Sequence, residues 1–319
     1  MKAVIYREPG GPEVLEYIDL PDPAPGAGEI LIRVKAISIE GGELATRRLR
    51  APEPSFPVLG NAAAGEVVSL GSGVSGFRVG QKVATFGFSG SYAELRAVAA
   101  ATSWVVPDGL DMRTAAVIPC GPGTAALALH LAGLRAGETV LVQGATGGVG
   151  SAVVQLAARA GAQVIGTGTN AATLDLLRPL GLTHPIVAGD APVGERVRQI
   201  LDGRGADVCI DMVGGPALAS GLEALEAGGR GVIVGIKGSG VDTVDGALLL
   251  SQRLTVRGCF LGIVIAEPMV HELIATLFQS AVRGEIDVPL DQIFSLSQAA
   301  EAHARAEQRG NIGRVIMEP

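Results

Sequence analysis

Between Thr139 and Gly168 the chain reads TVLVQGATGGVGSAVVQLAARAGAQVIGTG, a stretch that leaves few backbone paths open. Thr139–Gly144 is a short, almost wholly apolar run of the kind buried in a parallel sheet. It breaks at a glycine cluster. Beyond the cluster Val149, Ala152, Val153, Leu156, Ala157 and Ala160 recur at helical spacing until Gly161 stops the pattern. Ala162–Gly168 then reads as a second strand, completing the roughly 30 residues that a βαβ crossover requires. In the cluster Gly144-Ala145-Thr146-Gly147-Gly148-Val149-Gly150, the first, fourth and seventh residues fall where a strand must turn sharply into a helix. The first amides and positive dipole end of such a helix face a pyrophosphate, and a side chain there would block its approach. The commonest dinucleotide fingerprint has glycine where Ala145 stands. Strand before, helix after and second strand on time nevertheless favour a cofactor site over a purely structural turn.

The alternation continues. ADVCIDMVG reads as a strand, LASGLEALEA as a helix, RGVIVGI as a strand and LTVRGCFL as a last strand running to Leu261. The fold class is therefore α/β, with a doubly wound parallel sheet over 120–261. Upstream, over 1–119, the pattern differs: KAVIY, VLEYIDL, EILIRVKAISI, GEVVSLG, KVATF, YAELRAV and SWVVP are strand-like runs broken every 8–15 residues by Gly or Pro. That rhythm suggests a small β-barrel or distorted sandwich. Downstream, Glu267–Val282 reads as a helix with Pro268 in its first turn and Gly284 as its stop. Ser295-Leu-Ser-Gln298 fits a capping box opening a helix through Gln308, and Ile312–Glu318 reads as a strand. This tail, 262–319, is too small for its own domain and is expected to rejoin the first.

Charge and cysteine usage narrow the function. Lys and Arg number 25 against 32 Asp and Glu, a net charge of −7, the wrong sign for nucleic acid as a main partner. Cys120, Cys209 and Cys259 lie far apart without CxxC spacing, so neither a disulfide scaffold nor a thiolate zinc site is suggested, and a reducing cytoplasm fits. The opening MKAVIYREPGGPE lacks the apolar h-region of a signal peptide, so none is expected, and no apolar run approaches the 18 residues of a membrane span. A soluble, cytoplasmic protein with no membrane partner is expected.

The opening MKAVIYREPGGPEVLEYIDLPDPAPGAGEILIRVKAISI, then GFRVGQKVATF, GSYAEL, IPCGPGTAALAL, GETVLVQGATGGVGSAVVQLA and the closing NIGRVIMEP resemble the zinc-independent quinone oxidoreductase branch of the medium-chain dehydrogenase/reductase superfamily. The resemblance runs essentially from end to end. It implies a GroES-like substrate domain made from both chain ends, an inserted Rossmann domain, and a cleft, shaped by loops such as Arg47–Pro57 and Gly262–Pro268, where NADPH delivers hydride. It also implies a homodimer paired near Thr255–Leu261. Thr124 occupies a position that contacts the nicotinamide in relatives, with a helix N-cap as its alternative role. Val234-Gly235-Ile236 and Phe260-Leu261 match segments that cover the nicotinamide half, although core packing accounts for them almost as well.

Departures from the family pattern bear on chemistry. Zinc-containing relatives carry a Cys ligand where this chain has Glu40 and Gly-His-Glu where it has Gly60-Asn61-Ala62, and the four-Cys lobe is missing, so no metal site is expected. His130, His184, His271 and His303 read as surface or core histidines. The branch usually has Asn at Glu40, Asp at Glu43 and often Tyr at Ala45, side chains that line nicotinamide and substrate. Glu40 is the catalytic candidate: it can accept a hydrogen bond from the nicotinamide ribose or carboxamide, and its charge favours the oxidised ring. Glu40→Ala is then expected to lower turnover while leaving stability within about 0.5 kcal/mol, whereas the alternative, a solvated loop carboxylate, would leave the kinetics unchanged. Cys120 lacks a His–Asp partnership and Asp211 reads as a cap.

At the end of the second strand, Gly168, Thr169 and Asn170 are further cofactor candidates. No carboxylate stands there to repel a 2′-phosphate, which favours NADPH over NADH, and aspartate at Gly168 is expected to reverse the preference. The substrate expected is a quinone or an activated alkene (enone). An enoyl-thioester reductase and a catalytically silent NADPH-binding regulatory protein remain as alternatives.

Overall fold

The computed structural model describes every residue except 53–57, 190, 236–242, 309 and 311. The chain divides into two compact units, Met1–Gly123 with Gly262–Arg309 and Gly313–Pro319, and Thr124–Leu261 with Gly310–Ile312. The first begins with β1 (Lys2–Ile5), β2 (Glu16–Asp19), β3 (Glu29–Ser38), β4 (Ala62–Leu70), β5 (Lys82–Phe86), β6 (Leu95–Ala99) and β7 (Ser103–Val105). The second holds β8 (Thr139–Gln143), β9 (Gln163–Gly168), β10 (His184–Val187), β11 (Ala206–Asp211), β12 (Leu225–Ile233) and β13 (Thr255–Gly258). The chain returns to the first with β14 (Leu290–Ser295) and β15 (Arg314–Glu318).

In the first unit β3 is the central strand. A seven-stranded sheet runs β14-β15-β3-β4-β5-β7, with β6 also paired to β3, and β1 and β2 form a separate antiparallel pair. Ile30, Ile32 and Val34 alternate inward along β3 and meet Val67, Val83, Val98, Leu296 and Met317 in one apolar core. β15 pairs antiparallel to β3, with Met317 opposite Ile37, so the last strand is built into the sheet begun near the N-terminus.

The second unit is one parallel sheet in the order β10-β9-β8-β11-β12-β13. The winding direction reverses between β8 and β11, the switch point outside whose strand ends such sheets bind ligands. Helix Gly148–Arg159 joins β8 to β9, and Gly161 takes the left-handed φ of +81° that ends it.

Several element boundaries differ from the periodicity. The helix read as LASGLEALEA spans Pro216–Glu223, because Leu225 is drawn into β12 opposite Ala206. The last strand stops at Gly258 rather than Leu261. After Cys259 donates its amide to Ile233 O, β12 offers no further partner, and Leu261–Val264 coils into a short helix. Finally, Gly41–Leu49, most of it assigned to no element and its end read with the loop Arg47–Pro57, is a helix that begins directly after Glu40.

Gly150 shows how closely the second unit packs. A Cβ there would run into Gly144 O and come within 2.8 Å of Ala145 Cα, all backbone that cannot rotate away. Gly150→Ala is therefore expected to cost about 2–3 kcal/mol in urea unfolding, as overpacking does.

Candidate functional site

The loop after β8 is shaped by its first glycine. Gly144 adopts φ +76°, its amide donates to Thr167 Oγ1 at 3.3 Å, and the next amide, of Ala145, donates to Thr167 O at 2.9 Å. These bonds tie the loop to the end of β9 and bury Ala145 beneath it. Helix Gly148–Arg159 starts after an exposed Gly147 whose φ of −73° suits any residue. A Cβ on Gly147 would meet only Gly144 O at 3.5 Å, an ordinary contact. The protein's own packing thus asks for glycine at Gly144 and Gly150 but not at Gly147.

The helix start is uncapped. Among the described residues no side chain accepts from it, and its first intrahelical bond is Ser151 N to Gly147 O at 2.8 Å, leaving the amides of Gly148, Val149 and Gly150 ahead of that bond. Three amides without intrahelical partners at the positive end of a twelve-residue helix suit a doubly charged pyrophosphate such as a dinucleotide carries. Thr146 and Gly147 directly precede them.

At the end of β9, Gly168 is buried and a Cβ would press on Leu174 and Thr146 at 3.1–3.2 Å. Asn170 Oδ1 caps helix Ala171–Asp175 through Ala172 N at 2.8 Å, leaving the amide NH2 as the group it can turn to a ligand. Thr169 is exposed, and Thr167 is buried with its hydroxyl already engaged by Gly144. Thr169 and Asn170 are therefore the reachable donors.

Thr124 is the fourth residue of helix Gly121–Ala132, so it is not an N-cap. Its carbonyl lies 3.9 Å from Cys259 Sγ, which brings Thr124 beside the Cys259–Leu261 segment. There Phe260 is exposed and Leu261 buried. Val234 and Gly235 both donate their amides to Asp211 O, while the Asp211 carboxylate accepts from Val213 and Gly214. Gly235 has no room for a side chain, since a Cβ would sit 2.7 Å from Met212 O. Ile236 lies outside the described residues, as do 53–57 of the loop read as Arg47–Pro57, whose beginning belongs to the helix ending at Leu49.

In the first unit Glu40 is not a solvated loop carboxylate. Its side chain is 3% exposed, pairs with Arg314 at 2.8 Å and accepts from Ser38 Oγ at 2.8 Å. Three residues on, Glu43 turns inward rather than toward a ligand: it accepts from Asn61 N at 2.6 Å, from Tyr92 Oη at 2.5 Å and from Glu40 N at 3.2 Å. Burial pushes the Glu43 carboxyl up to about 8 against the downward pull of Tyr92. His303, a core histidine, packs on the far side of Tyr92 and is held down to about 3 by burial and by Arg47. Cys120 is pushed well up by burial and by the Glu40 charge, so its thiol stays protonated and unreactive. The motif GSYAEL contains Tyr92, yet no local pattern pairs it with His303.

Two family models match the chain, an alcohol dehydrogenase GroES-like domain over residues 26–108 and a zinc-binding dehydrogenase over 148–278. The chain is 35% identical to quinone oxidoreductase of Pseudomonas aeruginosa, over 100% of this chain and 99% of that protein. The chain belongs to the quinone oxidoreductase branch of the medium-chain dehydrogenase/reductase superfamily. Escherichia coli quinone oxidoreductase complexed with NADPH superimposes with a TM-score of 0.92 at 28% identity, covering 100% of both chains. A mycocerosic acid synthase-like polyketide synthase of Mycobacterium tuberculosis is 32% identical over 98% of this chain, which spans only 15% of that protein. Against the zinc-binding description of one family model, the Glu40 carboxylate is paired with Arg314, and Asn61, whose backbone amide donates to Glu43, carries a carboxamide in place of an imidazole. Among the described residues no group of three His, Cys, Asp or Glu side chains is placed to hold a metal ion.

Two substitutions separate ligand binding from folding in this quinone oxidoreductase homologue. Gly147→Leu is expected to leave stability within about 1 kcal/mol, as for a tolerant N-cap, while weakening dinucleotide binding at least about tenfold in a fluorescence titration. Glu40→Ala, by contrast, strands the mostly buried Arg314, whose Nε already lacks a partner among the described residues. It is expected to cost about 3 kcal/mol in chemical unfolding, well beyond an exposed-loop change.

Proposed function

We propose that this protein is an NADPH-dependent oxidoreductase that transfers hydride to a quinone or activated alkene without zinc. The observation that carries the reading is the uncapped helix start at Gly148–Gly150, behind a Gly147 that the fold itself does not require. The amides of Gly148, Val149 and Gly150 hold the pyrophosphate, and Thr169 and Asn170 receive the 2′-phosphate on the adenosine ribose. Thr124, Val234, Gly235, Phe260 and Leu261 serve the nicotinamide half. NADPH, when bound, supplies hydride from C4 of its ring. Glu40 works as a hydrogen-bond acceptor for the nicotinamide ribose or carboxamide; its field at the ring is small because Arg314 pairs with it. No side chain is assigned as proton donor, so the enolate or hydroquinone anion takes its proton from water. The working form is a homodimer paired through β13, the edge strand of its sheet.

The polyketide synthase relatives favour one second reading, reduction of an enoyl thioester. Following NADPH consumption with quinones, enones and a crotonyl thioester distinguishes the two. Quinone or enone turnover that survives a chelator supports the proposal, whereas thioester turnover alone favours the second reading. Tight NADPH binding with no turnover on any acceptor would mean a silent regulatory protein.

Cofactor choice is the sharper test. With the neutral donors Thr169 and Asn170, kcat/KM should favour NADPH over NADH by about ten- to hundredfold, or about 1.4–2.8 kcal/mol. Aspartate at Gly168 would confound this with the packing strain on Leu174, so the charge belongs on exposed Thr169. Thr169→Asp should reverse the preference. Equal use of NADH by the wild type would show that this strand end does not read the phosphate.

A further inference from the structure

The polar interior of the first unit has a direction. Arg47 is fully buried and its guanidinium has only donors to offer. Its NH1 lies 3.0 Å from His303 Nδ1, so Nδ1 accepts and the proton of the neutral ring sits on Nε2. Nε2, 2.7 Å from Tyr92 Oη, therefore donates to it. The Tyr92 hydroxyl, kept protonated by burial, is left to donate to Glu43 Oε2. Donation runs one way, from Arg47 through His303 and Tyr92 to Glu43. The reverse order would set an Nδ1–H against the guanidinium.

The carboxylate at the end of this chain holds two backbone amides, those of Glu40 and Asn61. These are two of the positions where this chain departs from the zinc-containing relatives. Resting on the function proposed above, we propose that Glu43 is a positioning residue: aimed by Arg47, His303 and Tyr92, its carboxylate fixes the backbone at Glu40 and Asn61 and so sets Glu40 for the reaction. Only the ionised carboxyl does this fully. A protonated Oε2 cannot accept from both Glu40 N and Tyr92, and Tyr92 cannot turn its hydrogen to a His303 nitrogen that is itself a donor. The charged and titratable groups around Glu43 are Glu40 with its partner Arg314, Tyr92, His303, Arg47, Arg96 and the Cys120 thiol. Burial and Glu40 disfavour the carboxylate, while Tyr92 and the two amides favour it.

The test combines kinetics with two readouts on the cofactor-free protein. With the best quinone or enone acceptor, wild-type kcat should rise with pH along an acidic limb near pH 8, where Glu43 ionises. Tyr92→Phe, which removes only the hydroxyl, should move that limb alkaline by about half a pH unit or more. Glu43→Gln should abolish the limb at a kcat about tenfold lower, with the KM for NADPH little changed, as expected when placement is lost but binding is not. In 15N NMR, the His303 ring should be neutral with its proton on Nε2.

Unfolding supplies a readout free of activity. Glu43, raised from 4.5 to about 8, lowers stability as pH rises across that interval, while His303, lowered from 6.5 to about 3, raises stability as pH rises from 3 to 6.5. Between pH 6.5 and 8 Glu43 acts without that opposition, so wild-type stability should fall there more steeply than that of Glu43→Gln. A limb unmoved in both variants, a His303 proton on Nδ1, or identical stability slopes would overturn the proposal. If no acceptor oxidises NADPH, the proposed function fails on its own, and the NMR and unfolding arms still decide whether the donor chain exists.

Discussion

A full positive charge with no exposed surface, Arg47, organises the interior of the first unit. Burying an ion costs several kcal/mol unless acceptors and an opposite charge surround it. Arg47 meets that demand with Glu307 at 2.5 Å, Gly10 O at 3.2 Å and His303 Nδ1, groups drawn from two distant parts of the chain. Meeting it brings helix Ala299–Glu307 against helix Gly41–Leu49 and fixes the His303 tautomer. Tyr92 and Glu43 take their hydrogen-bond directions from that tautomer. The apolar strands of the sheet supply most of the burial, but this cation decides which polar groups face one another.

The second unit is governed by excluded volume rather than charge. Its parallel strands are lined with small and β-branched residues, and Gly150 lets helix Gly148–Arg159 lie on the loop that precedes it at a distance no Cβ would permit. Gly166 does the same where Ala145 passes, a Cβ there falling 2.9 Å from the alanine methyl. Close packing seats the helix on that loop, and at its uncapped start backbone amides rather than side chains are left without partners. Tight contact at Gly150 and open space at Gly147 serve different ends within one seven-residue motif.

Much of this was legible in the sequence, because the signals are local. Apolar runs, helical spacing and glycines that stop it report on a few adjacent residues, and they located β8, β9, helix Gly148–Arg159 and helix Pro268–Val282 to within a residue or two. Locality also explains the boundary errors. Leu225 leaves its apparent helix because Ala206 is available to pair with it, and the strand after Leu254 ends where β12 runs out of partners.

What the sequence by itself determined is the α/β class, the dinucleotide-type loop and the family. What only the tertiary structure decided is the state of the acidic residues near the family's usual site. Whether Glu40 faced the cofactor or stood as a loop carboxylate stayed open in the sequence, because its partner, Arg314, stands near the other end of the chain. Glu43, Tyr92 and His303 likewise carry no shared motif, and Arg47 and His303 are 256 residues apart. Periodicity records which faces are apolar, but the charge, tautomer and donor direction of a buried polar group depend on whichever distant groups the fold sets beside it.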